Sequence, residues 1–139
     1  MLRTRRSLLV LLAAASTSLA ARVDVGVDTM LMNGCMYLQG QYLLQEYSSF
    51  TPKAVWHNLG DTATSFTAFF AMTDPYGSRT YCESMAMDGL APDSVGTLAF
   101  PQYTFWRTGY WTLRCSTAAV GDANPTNDTL RCLLAVYRF

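Results

Sequence analysis

The chain has 139 residues, enough for one domain of ordinary size. Its ten basic and ten acidic residues balance, and no basic run is present. This charge pattern excludes the electrostatic footprint of a nucleic-acid-binding protein. No apolar stretch reaches the ~20 residues that a membrane-spanning helix needs.

Residues 1–20 have the three parts of a secretory signal peptide. Three arginines come first, residues 8–15 are apolar, and residues 18–20 offer the small side chains that signal peptidases require. A buried N-terminal helix is the alternative, and two adjacent arginines weakly resemble a twin-arginine signal. We predict cleavage after Ala20, which leaves a single domain over residues 21–139 with net charge −3. Such a product is secreted or held at the cell surface, and it has no membrane span.

Four cysteines remain after the predicted cleavage. An exported chain meets an oxidising compartment, where thiols can pair, and four cysteines allow three pairings. Zinc is disfavoured because zinc ligands usually come in close pairs such as C-x-x-C, whereas these cysteines lie far apart. The four are Cys35, Cys82, Cys115 and Cys132.

Turn-forming Gly, Pro, Asn and Asp residues recur about every ten residues, and Thr, Val and aromatic residues fill the intervals. This spacing predicts an all-β domain of about seven strands in two packed sheets. In the first strand, the alternation of Val23, Val25 and Val27 with polar or small residues predicts one buried and one solvated face. Residues 33–50 predict either an edge strand or a hairpin over one end of the core.

The later strands alternate regularly. A strand carrying Ala54, Trp56 and Asn58 on one face ends in the Asn58–Asp61 turn, and residues 74–77, Asp-Pro-Tyr-Gly, predict a β-turn. The following sets are each predicted to share a buried face: Phe66, Ala68, Phe70 and Met72; Trp111, Leu113 and Cys115; Leu130, Cys132, Leu134 and Val136.

The last two strands carry one cysteine each on their apolar faces. If these strands pair, a Cys115–Cys132 disulfide is favoured, with Cys35 and Cys82 left over for the second. The alternative is that all four cysteines are small buried hydrophobic residues.

The segment "GDANPTND" connects these two strands. Its composition favours an ordered turn, because Asn and Asp bond their own backbone and proline fixes φ. Calcium binding is a weaker alternative, since the distal glutamate and central glycine of an EF-hand are missing. Residues 127–129 also match the N-glycosylation acceptor pattern. The weak calcium candidates are Asp122, Asn124, Asn127 and Asp128.

Five segments in order, "VDVGV", "PKAVWHNLGD", "GLAPDSVGTLAFPQYTF", "TGYWTLRCST" and "GDANPTNDT", resemble the bacterial CARDB-type (cell-adhesion-related) domain. The resemblance covers residues 23–137. It implies an extracellular immunoglobulin-like β-sandwich, often repeated within larger surface proteins. It also implies no catalytic site, no cofactor and no specific ligand.

Catalytic motifs are absent from the sequence. His57, the only histidine, is predicted to be a solvated strand residue, and no nucleophile-elbow, zinc-protease or phosphate-loop pattern occurs. Glycoside hydrolysis needs only two carboxylates, so Glu46, Glu83 and the other acidic residues leave that chemistry open, although most of them are predicted in turns or on solvated faces. We nevertheless predict a non-catalytic module for adhesion, structural spacing or protein interaction.

The partner would be an extracellular protein or a glycan. An exposed edge strand in residues 33–50 would favour assembly with another chain, whereas a planar row of exposed rings would favour a carbohydrate-binding module. Packing in the core and at sheet edges is the more ordinary role for such rings. The rings are Tyr37, Tyr42, Tyr47, Tyr76, Tyr103, Trp106 and Tyr110.

Overall fold

The computed structural model describes residues 21–138, so the predicted signal peptide lies outside the described residues. Within this range the chain forms eleven strands and one short 3-10 helix, Pro125–Asn127. The strands are β1 Val25–Leu31, β2 Met36–Leu38, β3 Gln41–Gln45, β4 Ser49–Phe50, β5 Lys53–Asn58, β6 Thr64–Thr73, β7 Arg79–Leu90, β8 Val95–Ala99, β9 Tyr103–Thr104, β10 Gly109–Ala118 and β11 Thr129–Tyr137.

Two main sheets form the layers of the sandwich. The larger sheet has the strand order β2-β3-β11-β10-β6-β7, and the smaller has the order β1-β5-β8. Strands β4 and β9 form a separate short pair. All pairings are antiparallel except that of β3 with β11. The all-β sandwich is therefore confirmed, and much of the excess over seven strands comes from β2, β4 and β9, which have three residues or fewer.

The sandwich core follows the predicted alternation. Phe66, Ala68, Phe70 and Met72 of β6 are all buried, because successive side chains of a strand point to opposite faces. The predicted faces of β5 and β10 are buried in the same way, and β11 contributes Leu134 and Val136. Burial of each large apolar side chain contributes about 1.5–3 kcal/mol before conformational entropy is subtracted.

Aromatic rings connect the two layers. Trp56 of β5 and Phe70 of β6 both pack on Phe100, with ring centroids 6.0 and 5.6 Å away. Trp111 packs edge-on against Phe105, with centroids 4.9 Å apart. Both tryptophans are completely buried, so they fix the spacing of the layers.

The first strand departs from its predicted pattern. Val25 is buried as expected, but Asp24, predicted to face solvent, is only 1% exposed. Its carboxylate accepts hydrogen bonds from the Arg22 guanidinium at 2.7 Å and the Asn127 amide at 2.8 Å. The loop before β11 therefore covers the side of β1 that local alternation assigned to water.

Candidate functional site

A tight hairpin forms one edge of the larger sheet. Strands β2 and β3 are joined by Gln39 and Gly40, whose φ angles are +50° and +81°. Positive φ at both central residues is the geometry of a type I′ turn, which suits the twist of a two-residue hairpin. Because β2 has a neighbour on one side only, the predicted hairpin and the predicted edge strand are the same element.

The backbone of Tyr37 faces out of this edge. Leu38 and Gln41 close the two-residue turn, and Tyr37 lies opposite Tyr42 in the next pair. In an antiparallel hairpin the closing pair exchanges hydrogen bonds, and the next pair does not. The N–H and C=O of Tyr37 therefore point away from β3, where a further strand could pair with them.

An apolar patch covers the outer face of the sheet beside this edge. One row of cross-strand neighbours runs from Met36 through Leu43 and Ala135 to Tyr110. Leu38 lies opposite Gln41, and Leu133 lies on the same outer face of β11 as Ala135, two residues away. We define the outer patch as Met36, Leu38, Leu133 and Tyr110, which are 55%, 56%, 58% and 61% exposed. Contiguous exposed apolar surface of this kind marks interaction sites.

The two edges of the larger sheet differ in charge. Residues 29–45, which include β2, contain no charged side chain. The opposite edge strand, β7, carries Arg79, Glu83 and Asp88. Charges on edge strands oppose pairing with other chains. The edge formed by β2 lacks this protection.

A cavity of about 420 Å³ lies beside the β2–β3 hairpin, between Cys35 and Tyr137. Its lining contains no histidine or carboxylate side chain. Burial, reinforced by Cys132, raises the pKa of Cys35 to about 11, so this thiol stays protonated at neutral pH and is a poor nucleophile. The cavity therefore offers space without an acid–base pair.

The two glutamates left open for glycoside hydrolysis lie apart. Glu46 follows β3, and its buried carboxylate pairs with Arg138, whose Nη2 donates to Oε1 at 3.0 Å. This hydrogen bond lowers the pKa of Glu46. Glu83 lies on β7, at the opposite edge of the same sheet. Since the catalytic carboxyls of glycosidases lie within about 10 Å of each other, this arrangement gives no such pair.

His57 lies on the face of β5 opposite Trp56, as predicted. Its Nε2 contacts Oδ1 of the exposed Asp93 at 3.1 Å. The structure shows no nucleophile hydrogen-bonded to this ring among the described residues, so His57 does not form a triad.

The seven aromatic rings do not form one row. Tyr37 lies on β2, and Tyr110 belongs to the outer patch. Tyr76 and Trp106 enclose Arg107, whose guanidinium lies 4.4 and 4.1 Å from their ring centroids. The arginine thus covers one face of each ring by a cation–π contact. Tyr42 and Tyr103 are half-buried, and the exposed Tyr47 follows β3.

All four cysteines are free thiols in the structure. Cys115 and Cys132 share the inner face of β10 and β11, but Cys115 lies opposite Leu130 and Cys132 opposite Leu113. Diagonal Cα atoms lie about 7–8 Å apart, wider than most disulfides allow. Their pairing stays a prediction that requires the two strands to shift.

The second predicted cysteine pair is separated more widely. Cys35 adjoins β2, and the exposed Cys82 lies on β7 at the other edge of the sheet. Burial raises the pKa of Cys115 to about 12, and it also raises the pKa of Cys132. These two thiols therefore behave as inner, protonated side chains in this structure.

The loop before β11 uses its polar side chains to build a turn. The two carboxylate oxygens of Asp122 accept the backbone N–H groups of Val25 at 2.9 Å and Asn124 at 2.8 Å. The Asn124 side chain accepts from Thr126 Oγ1, and the Asn127 amide donates to Asp24. In the part of the chain that the structure describes, no three His, Cys, Asp or Glu side chains are arranged to hold a metal ion.

Asp128 lies in an unfavourable environment for a charged carboxylate. Its Oδ1 is buried without a hydrogen-bond partner. Burial first, and then the charges of Asp122 and Asp24, raise the pKa of Asp128. A raised carboxyl pKa means that the folded state disfavours the ionised form. Ionised Asp128 therefore destabilises the fold at pH values above its folded-state pKa. This penalty disappears as the pH falls below the pKa of Asp128 in the unfolded chain, because the group is then protonated in both states.

Asp128→Asn is therefore expected to stabilise the protein at pH 7 by about 1 kcal/mol, because it removes the like charge and keeps the shape. The melting temperature should rise by a few degrees, and the gain should shrink below about pH 4, where both proteins carry a neutral group. Thermal unfolding followed by circular dichroism measures this. The exposed Asp88→Asn variant is the matched control and should change little.

An unchanged or lower melting temperature would contradict this account of Asp128. So would a rise in wild-type stability with millimolar calcium that Asp128→Asn removes, because Asp128 would then act as a ligand.

No family model matches the chain, and no curated protein sequence is significantly similar to it. Solved structures do match. The CARDB domain of the PF1109 protein from Pyrococcus furiosus, described in complex with di-metal ions, superimposes with a TM-score of 0.61 at 14% identity, over 84% of this chain and 90% of that domain. This chain has the CARDB fold.

A second match supports the CARDB fold. A domain of a protein described as a cell surface protein, from Methanosarcina acetivorans, has a TM-score of 0.56 at 16% identity, over 84% of this chain and 93% of that domain. A β-glucosidase from Listeria innocua also matches, with a TM-score of 0.50 at 12% identity over 84% of this chain, but the match covers only 16% of that enzyme. The predicted resemblance to CARDB domains is thus confirmed at the level of the fold.

The outer patch on this CARDB fold was not predicted from the sequence. In β11, Leu133 interrupts the expected inner–outer alternation, because it is apolar at a position that faces outwards. The charge-free run of residues 29–45 is the second signal in the sequence. Together these two signals indicate the side of the sandwich that favours contact with another molecule.

Proposed function

We propose that this chain is a non-catalytic extracytoplasmic module that binds another protein chain through β2 and the outer patch. The observation that carries the proposal is the overlap of three properties in one place. The backbone N–H and C=O of Tyr37 point out of the sheet edge, the outer patch is exposed, and residues 29–45 are uncharged. Each property favours association, and together they identify one face.

The chemistry of recognition is strand addition. An extended partner segment beside β2 can exchange two hydrogen bonds with Tyr37 and extend the larger sheet by one strand. Its apolar side chains would lie next to Met36 and Leu38 on the outer face. Leu133 and Tyr110 lie further along the same outer face, where a partner larger than one strand can reach them.

The arrangement of polar groups supports a function without catalytic turnover. The cavity near Cys35 contains no carboxylate or histidine in its lining, and Glu46 is held by Arg138. General acid–base chemistry needs a proton donor or acceptor within hydrogen-bond reach of a bound substrate. The cavity has the space for a small ligand, but its lining offers only the thiol of Cys35 and the hydroxyls of Ser48 and Tyr137, without a histidine or carboxylate to act as the base.

An extracytoplasmic location is proposed on two grounds. Residues 1–20 have the pattern of a signal peptide, and the Methanosarcina acetivorans domain of the same fold comes from a protein described as a cell surface protein. Among the residues that the structure describes, no helix is long and apolar enough to cross a membrane.

Site-specific photo-crosslinking in the cells that produce the protein tests the proposal. A benzophenone amino acid replaces Tyr37, which is 62% exposed, or Tyr76, which is 77% exposed and serves as the matched control. We expect a covalent adduct with another polypeptide from position 37 and little or none from position 76. Adducts from neither position, or equal adducts from both, would overturn the proposal.

A further inference from the structure

We infer that the chain at the β2 edge is β2 of a second copy, paired antiparallel about a two-fold axis centred on Tyr37. This inference rests on the proposed function and specifies its partner. A two-fold axis brings the same surface of both copies together, so the surface must be complementary to itself. Hydrogen bonding, side-chain pairing and charge each satisfy this condition at β2.

The backbone satisfies the condition first. Because the N–H and C=O of Tyr37 both point out of the edge, two copies of Tyr37 can exchange a closed pair of hydrogen bonds. The neighbouring outward amide, that of Cys35, already donates to the Met32 carbonyl at 3.2 Å. Tyr37 is therefore the natural centre of the pairing.

The side chains satisfy it next. With Tyr37 opposite its own copy, Met36 of one copy lies opposite Leu38 of the other, and both are on the outer face. Side chains directly opposite each other on one face of a sheet are in contact, so these apolar pairs favour the association. Met36 and Leu38 of the two copies then form the apolar centre of the contact, while Leu133 and Tyr110 lie outside it on the same outer face.

The lack of charged side chains at the β2 edge suits pairing with a second copy. Residues 21–139 carry a net charge of −3, so two copies repel each other weakly overall. The edge formed by β2 meets its own copy without any charged side chain, because residues 29–45 contain none. Pairing of two β7 edges would instead bring the carboxylates of Glu83 and Asp88 of both copies into the contact.

The contact is small. Three side chains, Met36, Tyr37 and Leu38, are each more than half exposed and would bury on the order of 300–400 Å² per copy, against about 800 Å² for a standard interface. We therefore expect a weak dimer, with a dissociation constant on the order of 100 µM.

Sedimentation velocity of the purified protein, from about 10 µM to about 1 mM, tests the inference. The wild type should shift from monomer to dimer over this range. Leu38→Lys should weaken dimerisation at least tenfold, because it places a hydrated charge in the apolar pair. Val120→Lys adds the same charge at a side chain that is 97% exposed in a distant loop, and it should leave the equilibrium unchanged.

A mixture of variants tests the register. Leu38→Lys and Met36→Glu copies should each dimerise poorly alone, whereas their mixture should recover association, because the Tyr37-centred register places the new lysine opposite the new glutamate. A dimer that Leu38→Lys does not weaken would overturn the inference, and so would a mixture that shows no recovery.

Different outcomes would overturn the second-copy dimer and the proposed binding of a protein chain. A wild type that stays monomeric at about 1 mM, while position 37 crosslinks to a different polypeptide, overturns the second-copy inference and supports the proposed function. A monomer without any crosslink at position 37 overturns both.

Discussion

Replacing Trp111 with alanine is expected to lower the free energy of unfolding by about 4 kcal/mol. The indole is completely buried, packs edge-on against Phe105 and Tyr103, and donates from Nε1 to the Arg107 carbonyl at 2.9 Å. Its removal leaves a cavity and an unpaired carbonyl. The melting temperature should fall by about 15 °C, which urea and thermal denaturation followed by circular dichroism will show.

Trp106→Ala is the matched control for Trp111→Ala. The Trp106 indole belongs to the same aromatic group but is 43% exposed, and its Nε1 bonds the Tyr103 hydroxyl at 3.1 Å. We expect a loss of about 1 kcal/mol, because nearly half of the side chain already faces solvent and its ring packs on the Arg107 guanidinium. Equal losses from the two variants would contradict the packing described for the core.

Replacing Asn58 with leucine is expected to cost about 3 kcal/mol, although the side chain is buried and similar in size. The Asn58 amide donates at 2.8 Å to the carbonyls of Thr62 and Leu90, and its Oδ1 accepts from Gly60 N at 2.9 Å. Leucine leaves all three backbone groups without that partner. Equilibrium unfolding in urea measures the loss.

Two comparisons separate hydrogen bonding from packing at this position. Asn33→Leu changes an exposed asparagine and should cost less than about 0.5 kcal/mol. Asn58→Asp keeps the acceptor for Gly60 but loses both donated hydrogen bonds, so it should be destabilising as well. A stable Asn58→Leu protein would show that the turn after β5 does not depend on this side chain.

Much of the sandwich could be predicted because local alternation determines which face of a strand is buried. The inner faces of β6 and β10 follow directly from their period of two. The β10–β11 hairpin follows from the turn composition of the loop between them. The Asp-Pro-Tyr-Gly turn was predicted for the same reason, and Asp74 Oδ1 accepts from Tyr76 N and Ser78 N at 2.9 Å.

The remaining features depend on contacts between distant residues. Asp24 looks solvated from the alternation of β1, but it is buried beneath the loop that carries Asn127, 103 residues away. The position of β2 at the sheet edge depends on the parallel pairing of β3 with β11, which no local pattern indicates. The sequence therefore predicted an edge strand or a hairpin within residues 33–50 but not the outer patch, whose Leu133 and Tyr110 come from other strands.

Hydrogen–deuterium exchange at the backbone amide of Tyr37 tests most directly whether β2 pairs with another chain. The exchange rate is compared between dilute protein and the assembled state, either about 1 mM protein or the complex captured at position 37. We expect the Tyr37 amide to exchange fast in dilute protein. In the assembled state it should exchange at least tenfold more slowly, because it then donates a hydrogen bond to the other chain. Fast exchange in both states, with slowing elsewhere on the surface, would contradict it.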